Sequence, residues 1–182
     1  MSLENITSQL GKLADGKSSK IPPVELWDPP YCGEIDIVIK ANGDWFYNGT
    51  IFKRLALVKL FASVIKKEGD DYFLVTPVEK VKIVVEQAPF VLTKWEWQDT
   101  EQTNMLVCTN VDDEFVLDKS HPLTFDEKGE MYITVRRNLQ AKVHRNVYYQ
   151  WVEAAQQVET QKGTELMFTS ADYDFSLGVI EE

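Results

Sequence analysis

One stretch near the N-terminus restricts the fold of this chain more than any other. Residues 35–39 alternate isoleucine with other residues, which is the period of a β-strand with one buried face. Asn42-Gly43 follows, and then the aromatic run Trp45–Tyr47. An Asn-Gly pair between two such runs suits a type I′ turn, whose central residues both need positive φ. The stretch therefore predicts a β-hairpin.

Three other segments have the apolar spacing of amphipathic helices. A short N-terminal helix is expected to stop at Gly16, and a polar, proline-bearing tether follows it. Ser, Thr, Asn and Asp favour the N-cap because their side chains accept a bond from a first-turn amide. We therefore predict helices over residues 3–13, 51–67 and 147–158, the last two capped by Thr50 and Asn146.

The remaining apolar segments are predicted to be strands, and their order repeats. Each half reads hairpin, helix, glycine, strand, corner, strand, with Gly43 matching Gly129 and Gly69 matching Gly163. Chance recurrence of such elements is the alternative to a true repeat. We predict an α+β protein of two tandem related repeats, each an antiparallel sheet packed with one helix. The predicted boundaries are 1–23 for the N-terminal helix and tether, 24–98 for the first repeat and 99–182 for the second.

Composition limits the classes of function. With 44% apolar residues in 182, the chain can bury a core. A net charge of −10 argues against nucleic-acid binding, because that affinity comes mainly from clustered Lys and Arg. Cys32 and Cys108 are too isolated for a disulfide framework or zinc knuckle. Without a signal-peptide-like or membrane-spanning run, we expect a cytoplasmic protein that needs no membrane and no cofactor.

The same N-terminal stretch carries a family resemblance. LWDPPYCGEIDIVIKANGDWFYNGTIFKRLALVKLF, then YFLVTPVEKVKI and EQAPF, resembles the uncharacterised bacterial family called domain of unknown function 1285. The likeness is dense from Pro22 to Phe90 and thin after Thr100. It implies a duplicated core, a C-terminal half superficially like a pleckstrin-homology domain, and a signalling role with a nucleotide-like ligand between the halves. No enzymatic activity is known for that family, so the resemblance gives no reason to expect one. The pleckstrin fold ends in its helix, whereas here two predicted strands follow Val158.

The residues that usually carry catalysis are few and scattered. The two histidines, His121 and His144, are too few for a histidine-rich metal site. Both cysteines are interpreted as small core residues rather than as nucleophiles. The acidic run 112–114 fits no calcium loop. We therefore assign no catalytic residue and no metal ligand.

Two segments without any acidic residue stand out in this acidic chain. Residues 45–67 contain Lys53, Arg54 and Lys59, and residues 131–152 contain Arg136 and Arg137. Cations in a helix's first turn oppose the macrodipole by about 0.3–1 kcal/mol. For Lys53 and Arg54, a bound anion, an internal carboxylate such as Asp36 or Asp44, or plain solvent exposure would each account for this.

Two functional hypotheses follow. In the first, the protein is a non-enzymatic binding or signalling module that holds a small anionic or nucleotide-like ligand at the junction of the repeats. The expected ligand-binding residues are Trp45 for stacking, Arg54, Lys59, Arg136 and Arg137; the alternative for Trp45 is a place in the core. In the second, the N-terminal helix and a strand with Trp95 and Trp97 form a protein-interaction scaffold. An enzyme is a third option, which unusually fast alkylation of Cys32 would reveal.

Overall fold

The structure, a computed structural model, describes residues 3–14 and 21–180, with the side chains of 12–14 left out. The chain divides into two compact units, residues 1–89 and 90–182. The predicted helix stop at Gly16 and most of the predicted tether lie outside the described residues. No helix in the described part of the chain is both long enough and apolar enough to span a membrane.

The predicted N-terminal helix is confirmed as α1, Leu3–Ala14. Two residues of its apolar stripe, Ile6 and Leu10, are each only 1% exposed. On its polar side Gln9 Nε2 donates a hydrogen bond of 3.0 Å to Glu79 Oε1. This hydrogen bond joins the helix to the rest of the first unit.

The first unit is built on one mixed sheet. Within residues 21–89, the elements of the described chain are a short 3-10 helix at Val24–Leu26, β1 Tyr31–Ile39, β2 Trp45–Tyr47, β3 Thr50–Ile51, α2 Leu55–Ala62, β4 Ile65–Glu68, β5 Asp71–Val75 and β6 Lys80–Val85. The strands form a six-stranded sheet in the order β3-β2-β1-β6-β5-β4. Neighbouring strands are antiparallel except for β1 and β6, which are parallel. The predicted antiparallel sheet is therefore corrected to a mixed one.

The predicted hairpin is confirmed as β1 and β2, but its turn differs from the predicted type. The Lys40 amide donates to the Asp44 carbonyl at 2.8 Å, and of the Asn42-Gly43 pair Gly43 alone has positive φ, 90°. That geometry is a three-residue loop. The type I′ turn lies instead at Asn48-Gly49, with φ of 47° and 73°, and it joins β2 to β3.

The predicted helix over residues 51–67 is much shorter in the structure. Thr50 is not an N-cap, because the Asn48-Gly49 turn continues the chain into β3. Arg54 takes the N-cap position, and α2 buries Val58, Phe61 and Ala62. The chain leaves the helix after Ala62 because β4 hydrogen-bonds to β5 at the sheet edge.

The second unit contains a sheet with the same strand order. Within residues 90–180, the elements of the described chain are β7 Phe90–Trp97, β8 Met105–Thr109, β9 Glu114–Val116, β10 Leu123–Phe125, β11 Met131–Arg136, β12 Leu139–Val143, α3 Arg145–Ala154, β13 Gln156–Thr160, β14 Gly163–Ser170 and β15 Tyr173–Val179. The strands form a six-stranded sheet, β10-β11-β12-β7-β8-β9, and a three-stranded sheet, β13-β14-β15. Again the first and last strands, β7 and β12, are parallel.

The duplicated architecture is confirmed, but the residue correspondence differs from the predicted one. In both six-stranded sheets, two antiparallel three-stranded meanders meet at a parallel pair of first and last strands. By this order β1 corresponds to β7, so the hairpin at Gly129, between β10 and β11, is not the counterpart of the hairpin at Gly43. The boundary also moves: β7 pairs with β8 and β12, so the units divide at Pro89 and Phe90 rather than after Gln98.

The third helix and the small sheet are joined by an aromatic cluster. His144 caps α3, in place of the predicted Asn146, by accepting a bond of 3.2 Å from the Asn146 amide. The helix ends at Ala154, and β13 takes up the end of the predicted helix. Trp151 is fully buried and lies 6.3 Å from the rings of Trp95 and Phe168. Strands β14 and β15 therefore cover aromatic residues of both β7 and α3.

Gly163 has a backbone conformation and a close neighbour that disfavour any residue with a Cβ atom. Its φ is 119°, and an added Cβ would lie 3.0 Å from Val179 Cγ1. We expect Gly163→Ala to lower the free energy of unfolding by about 1–3 kcal/mol, because alanine disfavours this backbone region. Urea unfolding followed by circular dichroism measures the change.

Gly11 in α1 is the matched control, since nothing lies within 4 Å of the position of its added Cβ. Gly11→Ala is expected to stabilise by up to about 1 kcal/mol, because alanine is the better helix former. Equal effects of the two substitutions would contradict the strain argument for Gly163.

Candidate functional site

The start of α2 carries two exposed cations. Arg54 is the N-cap, no side chain caps the helix, and its first turn has no acidic residue. Leu57 and Val58 donate to the Arg54 carbonyl, so the first two helical amides, of Leu55 and Ala56, precede the intrahelical bonds. Within the described residues, neither Lys53 nor Arg54 enters an ion pair. This arrangement of amides, dipole and cations favours an anion.

Lys59 and Trp45 belong to the same unit but are arranged differently from the prediction. Lys59 is half-buried in the last turn of α2, where the macrodipole favours a cation. Trp45 is 2% exposed and packs edge-to-face on Phe52 at 6.5 Å between ring centroids. A ligand cannot stack on an indole whose faces are covered. Trp45 is therefore a core residue, the alternative that the sequence left open.

Arg136 is neutralised by a carboxylate of its own unit. The guanidinium Nη1 donates to Asp113 Oδ2, the side chain is 13% exposed, and Cζ lies 4.7 Å from the centre of the Phe90 ring. Arg137, with φ of 53°, begins the turn between β11 and β12. For Arg136 the structure thus has an internal ion pair. The predicted convergence of Arg54 and Lys59 with Arg136 and Arg137 stays a prediction.

The Arg136–Asp113 pair is expected to stabilise the second unit. Asp113→Ala leaves the guanidinium without this carboxylate, and losing a partner of a largely buried charge costs about 1–3 kcal/mol. Urea unfolding of Asp113→Ala, Arg136→Met and the double variant gives the coupling energy. Glu127→Ala, which removes an exposed carboxylate from the β10–β11 turn, is the control and should change the unfolding free energy by less than about 0.5 kcal/mol. A coupling energy near zero would contradict the assigned role.

Both histidines have structural roles. His121 Nδ1 lies 2.9 Å from the Thr134 carbonyl, and its ring stacks on Phe115 at 4.2 Å between centroids. His144 caps α3, as described above. No group of three or more His, Cys, Asp or Glu side chains in the described part of the chain could hold a metal ion.

A cleft of about 340 Å³ opens on the second unit. Three strands and α3 form it, with the lining residues Thr93, Lys94, Trp95, Glu96, Leu106, Val107, Cys108, Glu114 and Gln150. The strand register places Lys94, Cys108 and Glu114 side by side across β7, β8 and β9. At the α3 wall, Trp95 Nε1 donates to Gln150 Oε1 at 2.9 Å. Sequence reasoning missed this cleft, because only the pairing of the strands brings its residues together.

The thiol in this cleft is unsuited to nucleophilic chemistry. Burial raises the pKa of Cys108, and the nearby carboxylates of Glu114 and Asp112 raise it further. A thiol whose pKa exceeds its ordinary value is almost entirely protonated at neutral pH, and only the thiolate is a strong nucleophile. Cys32, in contrast, is exposed on β1. Neither cysteine forms a disulfide.

The two thiols should therefore differ in reactivity. We expect iodoacetamide at pH 8 to modify exposed Cys32 several times faster than Cys108, because burial and two carboxylates disfavour the Cys108 thiolate. Mass spectrometry of peptides from a timed reaction measures both rates, and the chain unfolded in urea is the control, in which the rates should become similar. Faster modification of Cys108 in the folded chain would contradict this reasoning.

The features that motivated the scaffold hypothesis are largely covered. Trp95 and Trp97 are half-buried and contact Phe168 of β14 at 6.2 and 6.1 Å between ring centroids. Ile6 and Leu10 of α1 are buried as well. Neither feature offers a wide exposed apolar surface of the kind that marks a protein-binding site.

Comparisons with known proteins give a family for the whole described core. The model for "Domain of unknown function (DUF1285), N-terminal domain" matches residues 22–88, and the model for "Protein of unknown function (DUF1285), C-terminal domain" matches residues 89–177. A crystal structure of a DUF1285 family protein from Silicibacter pomeroyi DSS-3 is 34% identical with a TM-score of 0.79, over 94% of this chain and 95% of that chain. A second, from Shewanella baltica OS155, is 32% identical with a TM-score of 0.57, over 67% of this chain and 94% of that chain. No curated protein matches the chain.

Proposed function

The chain belongs to the DUF1285 family, and we propose that it is a cytoplasmic, non-enzymatic module that binds a small anionic ligand at the start of α2. One observation carries the proposal: Lys53 and Arg54 are exposed at a helix start that has neither a capping side chain nor an acidic residue in its first turn. A carboxylate or phosphate there would offset the unfavourable interaction of both cations with the helix dipole. A signalling role would follow from binding of this ligand.

The local geometry favours recognition of a charged group rather than of a base. The amides of Leu55 and Ala56 and the guanidinium of Arg54 can donate to the same phosphate or carboxylate. Trp45 is buried, so it offers no stacking surface to a nucleobase. A nucleotide-like ligand would therefore be held through its phosphate, and its base would add little affinity at this site.

The charges of the first unit support the same assignment. Ion pairs between lysine and Glu or Asp in the described part of this unit include Lys40–Glu86, Lys66–Glu68, Lys80–Glu68 and Lys82–Asp71. Asp36 and Asp44, the internal carboxylates considered for Arg54, form no ion pair with it. Lys53 and Arg54 thus retain their positive charge for a ligand.

The non-enzymatic part of the proposal rests on the side chains that usually perform catalysis. His121 and His144 are engaged in structural contacts, and the raised pKa of Cys108 keeps its thiol protonated. A Cys-His nucleophile would need a histidine to activate a thiolate. The described residues offer no such pair.

A thermal-shift titration of the full chain tests the proposal. Inorganic phosphate at ten times its dissociation constant should raise the melting temperature by roughly 3–6 °C, because a ligand of the native state stabilises it by mass action. Arg54→Ala should abolish most of this rise. Adenosine monophosphate should act about as strongly as phosphate, since no base-stacking residue is exposed at α2.

Arg145→Ala is the matched control, because Arg145 is an exposed arginine in the first turn of α3, a helix that His144 already caps. This variant should keep the full response to phosphate. All titrations are made at constant ionic strength with sodium chloride, so that general salt effects cancel. An equal rise in the wild type and in Arg54→Ala would refute binding at α2.

A further inference from the structure

We propose that the cleft of the second unit is a separate ligand site, and that it takes a small zwitterion with a primary ammonium and a carboxylate, such as a free α-amino acid. The proposal is independent of the anion site, because all residues of the cleft lie in the second unit and Arg54 lies in the first. The two sites should also differ in the ligands that they accept: a simple anion should bind at α2 but not in the cleft.

The size of the cleft suits a ligand of this class. Its volume is about 340 Å³, and small-molecule sites in proteins usually have about 300–1,000 Å³. At about 30 Å³ for each water in the liquid, the cleft has room for roughly ten non-hydrogen atoms with their hydrogens. A free amino acid has this size, whereas a dinucleotide is too large.

The charges in the cleft are of both signs and do not neutralise one another. Lys94 on β7 and Glu114 on β9 flank Cys108 on β8, so their backbones are two strand spacings apart, roughly 9–10 Å. Lys94, Glu96 and Glu114 form none of the ion pairs within the described residues. The side chains of lysine and glutamate are long enough to approach each other over Cys108, so one ligand that carries both charges on a single carbon can have its carboxylate near Lys94 and its ammonium near Glu114.

The second carboxylate sets the sign of the preference. Glu96 is two residues after Lys94 on β7 and is paired with Leu106. The lining therefore contains the carboxylates of Glu96 and Glu114 and the single ammonium of Lys94. The excess negative charge attracts an amine and repels a ligand that is only anionic. An α-amino acid satisfies the lysine and brings the ammonium that the carboxylates require.

The rest of the lining provides an apolar floor and a hydrogen-bond donor. Leu106 and Cys108 alternate with the buried Met105 and Val107, so they face the cleft, and the protonated thiol of Cys108 behaves as a small apolar group. Gln150 uses Oε1 to accept from Trp95 Nε1, which fixes its amide and leaves Nε2 as a donor for a carboxylate. The register shift between Leu92 and Lys94 is a bulge, a feature that re-aims side chains beside sites.

Protection of Cys108 from alkylation tests the proposal directly. In a full-length Cys32→Ser chain at pH 7, where an α-amino group is still protonated, Cys108 is the one remaining thiol of the sequence, and its rate of modification by iodoacetamide reports occupancy of the cleft. L-leucine should slow this rate in a saturable manner. N-acetyl-L-leucine, without the ammonium, and inorganic phosphate should not slow it, and L-leucine amide, without the carboxylate, should act much more weakly.

Variants that each remove one charge test whether leucine protects Cys108 by binding in the cleft. Glu114→Gln and Lys94→Met should each raise the leucine concentration for half-protection roughly tenfold or more, because each removes a charge-assisted hydrogen bond. Lys119→Met, at an exposed lysine outside the lining, should leave it unchanged. Circular dichroism checks that each variant is folded, and Glu96→Gln replaces any variant that is not.

The outcomes separate the two proposals. The cleft assignment would be overturned if none of the amino acids leucine, glycine and lysine slowed the alkylation of Cys108 at any concentration up to its solubility. Equal protection by N-acetyl-L-leucine, or full protection in both charge variants, would also overturn it. None of these results would change the response of Arg54→Ala to phosphate, which tests only the anion site.

Discussion

The parallel pairing of the first and last strand is the constraint on which each six-stranded sheet depends. Antiparallel neighbours need only short turns, whereas a parallel pair requires a long connection. In the first unit that connection runs through β2–β5 and α2 before Lys80 reaches Tyr31 and Val85 reaches Ile39. In the second unit Ala141–Val143 returns to Phe90–Leu92. Neither sheet is complete until the ends of its sequence have met, so both units are rich in long-range contacts, which slow folding.

Each unit has its own six-stranded sheet with the same strand order, but the helix lies at a different point of the chain in the two units. As a result, the first turns of α2 and α3 are capped differently. In the first unit α2 connects the two meanders and begins directly after the short edge strand β3. In the second unit the meanders are joined without a helix, and α3 follows the closing strand β12, where His144 ends the strand and caps the helix. Because β12 fixes the backbone of residue 143 against β7, the cap is held in place. At α2 the Phe52 amide donates to the Trp45 carbonyl at 2.8 Å, two residues before the N-cap residue Arg54. No side chain caps this helix, and this difference from α3 is the basis of the proposed anion site.

The sequence predicted those parts of the fold that depend on neighbouring residues. Alternation at 35–39 identified β1, and helical spacing identified α1, the centre of α2 and most of α3. Short edge strands were missed, because Thr50–Ile51 and Ile65–Glu68 are too short to show a period and adjoin a real helix. The turn type was assigned to the wrong Asn-Gly pair, since the dipeptide alone does not distinguish Asn42-Gly43 from Asn48-Gly49. Only the strand register decides between them.

The candidate sites show the same division. The sequence predicted Lys53 and Arg54 in the first turn of a helix, whereas in the structure they directly precede α2, because that helix begins at Leu55. The partner of Arg136 is Asp113, 23 residues earlier in the chain, and it becomes a neighbour only when β8, β9 and β11 are in place. The row Lys94, Cys108 and Glu114 requires the pairing of three strands. No spacing in the sequence signals either arrangement.

For an anion bound at α2, as proposed, the net charge of −10 limits the contribution of long-range attraction. At a distance an anion meets a repulsive field, and beyond about 8 Å at physiological ionic strength that field is largely screened. Attraction therefore comes from the nearest groups, which are Lys53, Arg54 and the amides of the first helical turn. Added salt weakens both the distant repulsion and the near attraction. An anion at this site should consequently bind with a weaker salt dependence than it would on a basic protein, where both contributions have the same sign.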